Sequence, residues 1–316
     1  MKEKQLGIIT MVIASLGLGI AVLFMKVIPD FTGMPPQHVA IWRFTIATPI
    51  LWLILKVKNP KKRLMPAHPW LFLTLGLVFS AASFSAIFAL QRLSSSIYVI
   101  LIYIYPSLVV IYALLTGGRV PKLFWLGLPL TMLGLFLTSF EFGAALAIDS
   151  IGLVITLINA LVLVAYMVLS EKAFTDMENP LSGTTGVMSG AFMVGLLLIP
   201  ILGISSPDTI RGWLYLVSFS IFGTLMPIMG MNISLGLLGA ARGSVIITLQ
   251  PIFTVLMAMF FLNETLSFQQ WIGGGLVILA IVLLQRSPDR PGKLEESLQK
   301  KPYGQPGDWL SKGKIK

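Results

Sequence analysis

Long apolar stretches follow one another along nearly the whole chain, and short polar connections separate them. About 20 apolar residues, at 1.5 Å per residue in a helix, cross the hydrocarbon core of a bilayer. Backbone groups in that core have no water to bind, so each stretch is predicted to be a helix. The predicted spans are residues 6–26, 39–57, 70–91, 96–115, 123–140, 151–170, 186–203, 213–238, 244–262 and 268–285. The pattern predicts an all-α integral membrane protein with ten transmembrane helices.

The composition supports a membrane protein. Hydrophobic residues make up 56% of the 316 positions and charged residues only 11%, whereas a soluble domain carries about 25% charged residues. So few charges cannot cover a water-soluble globule of this size. The absence of cysteine excludes disulfides, thiolate metal sites and a cysteine nucleophile.

The 23 Lys and Arg residues are distributed unevenly between the predicted connections. Most lie before the first span, in every second connection, such as residues 56–63, and after the last span, where a basic polar tail begins at Ser287. By the positive-inside rule, both termini are predicted to be cytoplasmic, in a multi-pass protein of the cell membrane (plasma or inner). Basic residues placed in this way mark topology and argue against a nucleic-acid partner.

Rare residues recur at an offset of about 145 positions. The stretch from Leu93 to Pro106 matches the stretch from Leu238 to Pro251, and Trp125 matches Trp271. This recurrence predicts an internal duplication. The predicted units are a first repeat at residues 1–145, a second at 146–286, and a disordered cytoplasmic tail at 287–316.

Five spans per repeat is an odd number, so the second repeat must insert upside down. The predicted fold is therefore two inverted five-helix repeats. Inverted repeats are a recurrent transporter architecture, with the substrate bound near the midplane between the halves. A duplicated bundle with another role remains the alternative.

Groups that carry out chemistry are missing from the predicted membrane interior. None of the 13 acidic residues lies deep within a span, and His38 and His68 flank spans. Carboxylate catalysis, zinc chemistry and the usual proton relays all need such groups. We therefore expect no catalytic residue, no metal, no cofactor and no enzymatic activity. The same absence favours a facilitator, or an exporter coupled in a way that the sequence does not show.

Arg43 is the one basic residue predicted to lie inside a span. It is interpreted either as a clamp for a substrate carboxylate or outer-gate ion pair, or as a side chain that reaches out to interfacial water. Pro106 and Pro251 stand at matching positions within spans. Because proline removes a helical hydrogen bond, both are predicted hinges lining the pathway; a fixed packing kink is the alternative.

Further polar and aromatic residues are candidates for the substrate pathway. The polar candidates share a position deep within the second repeat, where their alternative role is hydrogen bonding between helices: Asn159, Tyr166, Asn232, Thr248 and Gln250. The aromatic candidates could form cavity walls or face lipid: Trp42, Phe84, Phe88, Tyr98 and Tyr105. An apolar-aromatic pocket with few polar groups suits amphipathic zwitterions or hydrophobic cations.

Short motifs in both halves resemble the EamA-type family of the drug/metabolite transporter superfamily. The motifs are Trp42-Arg43-Phe44, Tyr105-Pro106, Asn263-Glu264-Thr265-Leu266 and Gln270-Trp271-Ile272-Gly273. The first-half turn departs from the family pattern, because Gly118-Arg119 stands where an acidic residue is usual.

The resemblance implies a ten-helix bundle that works by alternating access, often as an exporter of amino acids or related metabolites. The predicted function is a secondary transporter or facilitator that exports small metabolites. The alternatives are an exporter of lipophilic organic cations or drugs, and a non-transport membrane protein such as an enzyme or receptor. The predicted partners are a small-molecule substrate and membrane lipid, and the sequence is compatible with a monomer.

Overall fold

The computed structural model describes residues 2–58, 66, 68–93, 95–117, 122–139, 149–262 and 267–285. Ten membrane helices, numbered here α1 to α10, account for nearly all of these residues. Their bounds are α1 Lys2–Thr32, α2 Pro36–Lys58, α3 Pro69–Leu90, α4 Ser95–Ile102 and Tyr105–Leu115, α5 Lys122–Ser139, α6 Ser150–Phe174, α7 Pro180–Leu202, α8 Ile210–Ser220, Ile221–Leu225 and Met226–Leu238, α9 Ala240–Ile246, Ile247–Leu249 and Gln250–Leu262, and α10 Phe268–Gln285.

The ten predicted spans are confirmed within the described residues. Seven stretches are long and apolar enough to cross a membrane, and three shorter apolar helices complete the set. Two helices extend well beyond their predicted spans. Helix α1 continues to Thr32 because the chain has no left-handed turn before Gly33, whose φ is 63°. Helix α7 begins at Pro180, a residue suited to the first helical position.

Contacts between matching helices show that the two halves are inverted. Along the α2–α7 contact, His38 bonds to Leu202 and Thr48 bonds to Met188. Residue numbers rise along α2 as they fall along α7, so these second helices of the two halves run antiparallel. Helices α5 and α10, the fifth of each half, are also antiparallel, because Gly134 approaches Val277 while Thr138 approaches Gly273.

The same packing pattern occurs in both halves. Helix α1 packs on α8 and α9, and helix α6 packs correspondingly on α3 and α4. The α2–α7 and α5–α10 pairs each map onto themselves when the halves are exchanged. Two inverted five-helix repeats, α1–α5 and α6–α10, therefore form one bundle with a two-fold relation between them.

Glycines allow the closest helix crossings. At the α3–α7 crossing, a Cβ on Gly76 would collide with the Val187 carbonyl, and one on Gly190 with the Leu73 carbonyl. At the α5–α10 crossing, a Cβ on Gly134 would lie 2.7 Å from the Gly273 carbonyl oxygen. Small residues at such crossings bring backbones together where lipid provides no hydrophobic driving force for association.

Helices α4, α8 and α9 each lose regular α-helical geometry just before a proline. Helix α4 is broken at residues 103–104, before Pro106, and α9 tightens into a 3₁₀ turn at Ile247–Leu249, before Pro251. Helix α8 widens into a π turn at Ile221–Leu225, before Pro227. Proline lacks an amide hydrogen and clashes with the carbonyl four residues earlier, which accounts for the irregular turns. That Pro106 and Pro251 act as hinges stays a prediction.

Several predictions fall outside the described residues. They concern the boundary near residue 145, the tail at 287–316, the turn at Gly118-Arg119 and the acidic turn at Glu264. The division of the chain at these boundaries stays a prediction.

Candidate functional site

One end of the contact between α2 and α8, here called the α2–α8 seam, is closed. The indole nitrogen of Trp42 donates to the Ser205 carbonyl at 2.7 Å, and the Trp42 ring meets Trp213 edge-on at 5.0 Å. His38 Nδ1 accepts from the Ser205 amide at 3.1 Å. The ring proton is therefore assigned to Nε2, which donates to the Leu202 carbonyl at 2.9 Å. These bonds tie the loop after α7 to the start of α2.

The other end of the seam is open. A cavity of ≈ 560 Å³ lies between the second half of α2, the start of α7 with Asn179 before it (residues 179–181), and the middle of α8. Its helix walls are mostly apolar, and they consist of Leu51, Ile54 and Lys58 of α2 with Leu225, Met229 and Ile233 of α8. This cavity is more open than enclosed, and its volume is large enough to admit a small metabolite.

Arg43 lies between the closed end and the cavity. Its Nη2 donates to the Ser83 hydroxyl of α3, and its guanidinium lies 4.6 Å from the Phe44 ring and 5.7 Å from the Phe219 ring of α8. Its Nε is buried without a hydrogen-bond partner. Among the residues that the structure describes, no carboxylate lies within ion-pair distance of Arg43. Helices α2 and α3 of the first repeat and α8 of the second thus contact a half-buried cation that has no counter-charge among the described residues.

Four rings, here called the aromatic layer, connect Arg43 to the second repeat. The layer consists of Phe44 of α2, Phe79 and Phe84 of α3, and Tyr166 of α6. Phe44 contacts Phe84 at 6.4 Å and Phe79 at 5.9 Å, and Phe79 contacts Tyr166 at 5.3 Å. Such edge-on and tilted pairs add stability beyond the area that they bury. The structure therefore places the predicted site residues Arg43, Phe84 and Tyr166 in one continuous cluster.

Asn232 and Asn159 bond to neighbouring helices. The Tyr166 hydroxyl donates to Asn232 Oδ1 at 2.8 Å, and Asn232 Nδ2 donates to Thr184 of α7 at 3.2 Å. Asn159 Nδ2 donates to the Ala82 carbonyl of α3 at 2.9 Å, while its Oδ1 is buried without a partner. The described contacts are those of interhelical bonding, and a substrate role for either amide stays a prediction.

The remaining predicted site residues are not joined to the aromatic layer by ring pairs, although Tyr105, Phe88 and Tyr98 belong to the same hydrophobic core cluster. In α4, Tyr105 is buried against Tyr103 at 5.9 Å, and Tyr98 is half-buried. In α9, the buried Thr248 hydroxyl donates within its own helix, to Val245 at 2.6 Å. Three residues complete the set: Phe88 and Gln250, both half-buried, and Trp42 at the closed end. No ring pair or hydrogen bond among the described residues joins them to the layer.

Sequence reasoning did not select Phe44, Phe79, Phe219 or Thr184 for the site. Phe79 and Ser83 are four residues apart, so they share one face of α3, and Phe44 directly follows Arg43. These spacings are the features of the sequence that could have pointed to Phe44 and Phe79. Nothing along the sequence indicates that Phe219 and Thr184, more than a hundred residues further on, reach the same region.

The fold and the seam together define a class of protein. Two inverted repeats, matching interrupted helices and a membrane-embedded cavity open at one end are the features of a membrane transport protein. The EamA-like transporter family matches residues 5–140 and again residues 150–286. The chain belongs to this family, which is part of the drug/metabolite transporter superfamily and consists of transporters rather than enzymes. The predicted family, fold and lack of enzymatic activity are confirmed.

Curated relatives support the assignment at low sequence identity. The chain is 23% identical over 233 residues to an uncharacterised transporter of Archaeoglobus fulgidus, covering 73% of this chain and 78% of that protein. It is 25% identical over 280 residues to the uncharacterised transporter YcbK of Bacillus subtilis, covering 83% and 88%. A crystal structure with 15% identity superposes with a TM-score of 0.74 over 89% of this chain and 96% of that one, which shows a shared fold.

Proposed function

We propose that this transporter exports small amphipathic metabolites, amino acids or compounds related to them, by alternating access. The observation that carries the proposal is the unequal α2–α8 seam. It is closed by Trp42 and Trp213 at one end and open as a cavity of ≈ 560 Å³ at the other. A solute path with one closed end and one open end is the arrangement that alternating access requires.

In this mechanism the solute enters the cavity beside Lys58 and moves toward Arg43 and the aromatic layer. The Trp42 end then opens while the cavity closes. Helices α4 and α9 are interrupted before Pro106 and Pro251, and their missing hydrogen bonds let each helix bend there with little cost. The two prolines serve as the hinges of the movement.

The cavity end is assigned to the cytoplasm because Lys and Arg are concentrated in the connections at that end. The chain contains no cysteine, so single cysteines can report which side of the membrane a loop faces. A cysteine replacing the exposed Asp208 should react with an impermeant thiol reagent in intact cells. A cysteine replacing the exposed Asp176 should react only after permeabilisation, and the reverse result would overturn the orientation.

Facilitated export, without proton coupling, fits the positions of the described acidic side chains. The carboxylates of Asp149 and Glu171 lie at the two ends of α6, and the other described acidic side chains are exposed. A proton relay commonly uses an ionisable group near the midplane. Flux should therefore be unaffected by an imposed pH gradient. Accumulation of solute driven by that gradient would contradict facilitation without contradicting transport.

Export is tested by an efflux panel. Purified protein in liposomes loaded with radiolabelled amino acids and related zwitterions should release at least one of them faster than protein-free liposomes. Lipophilic cations are less favoured as substrates, because the unpaired charge of Arg43 would repel them. Folded protein that releases nothing from a broad panel would overturn the proposal.

A further inference from the structure

Arg43 lies within a membrane span, where a positive charge without a partner has an unfavourable solvation free energy. It lies seven residues inside α2, which corresponds to a depth of about 10 Å. Its only described hydrogen bond is to the neutral hydroxyl of Ser83, and its Nε is buried with none. A guanidinium in a membrane span needs partners, usually an anion. The described residues provide two aromatic faces and one hydroxyl.

The contacts of Arg43 point into the bundle, and its side chain is half-buried. Ser83 lies seven residues before the end of α3, again a depth of about 10 Å. The start of α2 and the end of α3 lie on the same side of the membrane, because the Gln91 side chain donates to the Gln37 side chain there at 3.2 Å. Arg43 and Ser83 are thus level with each other, and the guanidinium points across the bundle toward α3 and α8.

Building on the proposed function, we propose that Arg43 and Ser83 bind the carboxylate of the transported solute. A guanidinium presents donors in a planar fork that matches a carboxylate, and the buried Nε of Arg43 is a donor without an acceptor. The Ser83 hydroxyl can rotate to donate to the second carboxylate oxygen. The solute therefore provides the anionic acceptor that the Arg43 guanidinium lacks.

The surroundings of Arg43 define the rest of the solute. Phe44 and Phe219 flank the guanidinium. The cavity begins at Leu51, about 12 Å further along α2, and is lined mainly by leucine, isoleucine and methionine. A polyanion such as a nucleotide would need more than one positive charge at the site, and Lys58 of the cavity lies about 22 Å from Arg43 along α2. The substrate class is therefore a small molecule with one carboxylate and an apolar body.

The test compares two probes of the same shape, 4-methylpentanoate and 4-methylpentanamide, of which only the first carries a negative charge. Each is added to the full-length protein in an uncharged detergent, and thermal unfolding is followed by tryptophan fluorescence. The carboxylate should raise Tm by about 3 °C or more, because it binds the folded state. The amide should raise Tm by less than a third of that amount.

Variants assign the effect to Arg43. Arg43→Gln should abolish the carboxylate-dependent rise, Arg43→Lys should keep part of it, and Ser83→Ala should require a several-fold higher concentration. Arg211→Gln is the matched control, because Arg211 is an exposed arginine near the start of α8, and it should respond like the unmodified protein. If Arg43→Gln fails to fold, Ser83→Ala and Arg43→Lys still distinguish a carboxylate site from an unrelated effect.

The outcomes separate this proposal from the transport proposal. No carboxylate-dependent rise, an equal rise with the amide, or an unchanged rise in Arg43→Gln would overturn the carboxylate site, whatever the efflux panel shows. An equal rise with dioctanoyl phosphatidylglycerol would assign Arg43 to a lipid headgroup and also overturn it. A rise confined to the carboxylate and lost in Arg43→Gln would support it even if no panel compound is exported.

Discussion

Asn232 shows how polar side chains are used at the centre of this bundle. It is fully buried, and both ends of its amide are bonded, to Tyr166 and to Thr184. A buried polar group that keeps its partners rigidifies its surroundings, whereas partners left unpaired carry a desolvation penalty.

Replacing Asn232 by alanine should therefore reduce stability. The Tyr166 hydroxyl would lose its acceptor, so we expect a loss of about 1–3 kcal/mol in the free energy of unfolding. Gln91→Ala, which removes an exposed hydrogen bond to Gln37, should change it by less than about 0.5 kcal/mol. Unfolding measurements check both values. Reduced efflux with unchanged stability would instead place Asn232 in contact with the solute.

At the residue scale, sequence reasoning could find Arg43 but not its surroundings. A cation within an apolar stretch is rare, so Arg43 is conspicuous in the sequence. Its contacts come from α3 and α8, and only the helix packing decides that Ser83 and Phe219 meet it. The same limit applies to the buried amides, because nothing in the sequence shows that Asn232 already has two protein partners.

At the scale of helices, the end of α6 is hydrogen-bonded to two of the three interrupted helices, α4 and α9. Glu171 Oε2 accepts from the Ala240 amide at 3.0 Å, at the beginning of α9. The next residue, Lys172, donates to the Tyr112 hydroxyl of α4 at 3.4 Å. A carboxylate at a helix N-terminus satisfies a free amide and interacts favourably with the helix dipole.

Glu171→Ala should loosen the start of α9. We expect a loss of about 1 kcal/mol, the usual value of a capping interaction, together with faster amide hydrogen exchange in residues 240–246. Glu178→Ala is the control, because Glu178 is exposed in the connection between α6 and α7, and it should leave the exchange unchanged. Equal exchange in both variants would contradict a capping role for Glu171.

The α3–α7 crossing provides a second prediction at this scale. Gly190→Ala should destabilise the protein by about 1–3 kcal/mol, because the new methyl group collides with the Leu73 carbonyl. Gly195→Ala adds the same group five residues further along α7, where its nearest neighbour lies 3.8 Å away, and it should be neutral or slightly stabilising. Thermal unfolding of the two variants checks the difference, and similar losses would contradict the crossing.

Helix number and type were predictable because lipid leaves the backbone few alternatives. The irregular turns before Pro106 and Pro251 also follow from proline chemistry. The pairing of Gly76 with Gly190 was not predictable. It depends on which helix lies alongside, and hydropathy carries no information about neighbours.

At the scale of the whole molecule, the closed end of the seam can be tested with cysteines. His38 Nδ1 and Ser205 Oγ lie 2.8 Å apart, so cysteines at these two positions should be close enough to be joined by a short bis-methanethiosulfonate reagent, whose disulfide bonds to the protein are reducible. Cross-linked protein should lose efflux and regain it on reduction, because the closed end could no longer open. The Lys58→Cys, Asn179→Cys pair at the open cavity is the control, and it should cross-link poorly in the resting protein. Full efflux by cross-linked His38–Ser205 protein would contradict alternating access through this seam.

The inverted arrangement was predictable from an odd number of helices in each duplicated half. The difference between the two ends of the seam was not, because both halves follow the same hydrophobic pattern. Symmetry is broken by particular side chains, such as Trp42 and Trp213 at the closed end, and their pairing depends on how far α2 tilts from α8.

The glycine crossings join helices from opposite repeats. Helix α3 is fitted to α7, α5 to α10, and α1 to α8, where Gly230 meets the Thr10 carbonyl. Neither repeat therefore has a complete packed interior of its own, and each needs the helices of the other repeat to fill its crossings. Two separately synthesised polypeptides, one for each repeat, would be degraded when alone and would accumulate only when produced in the same membrane.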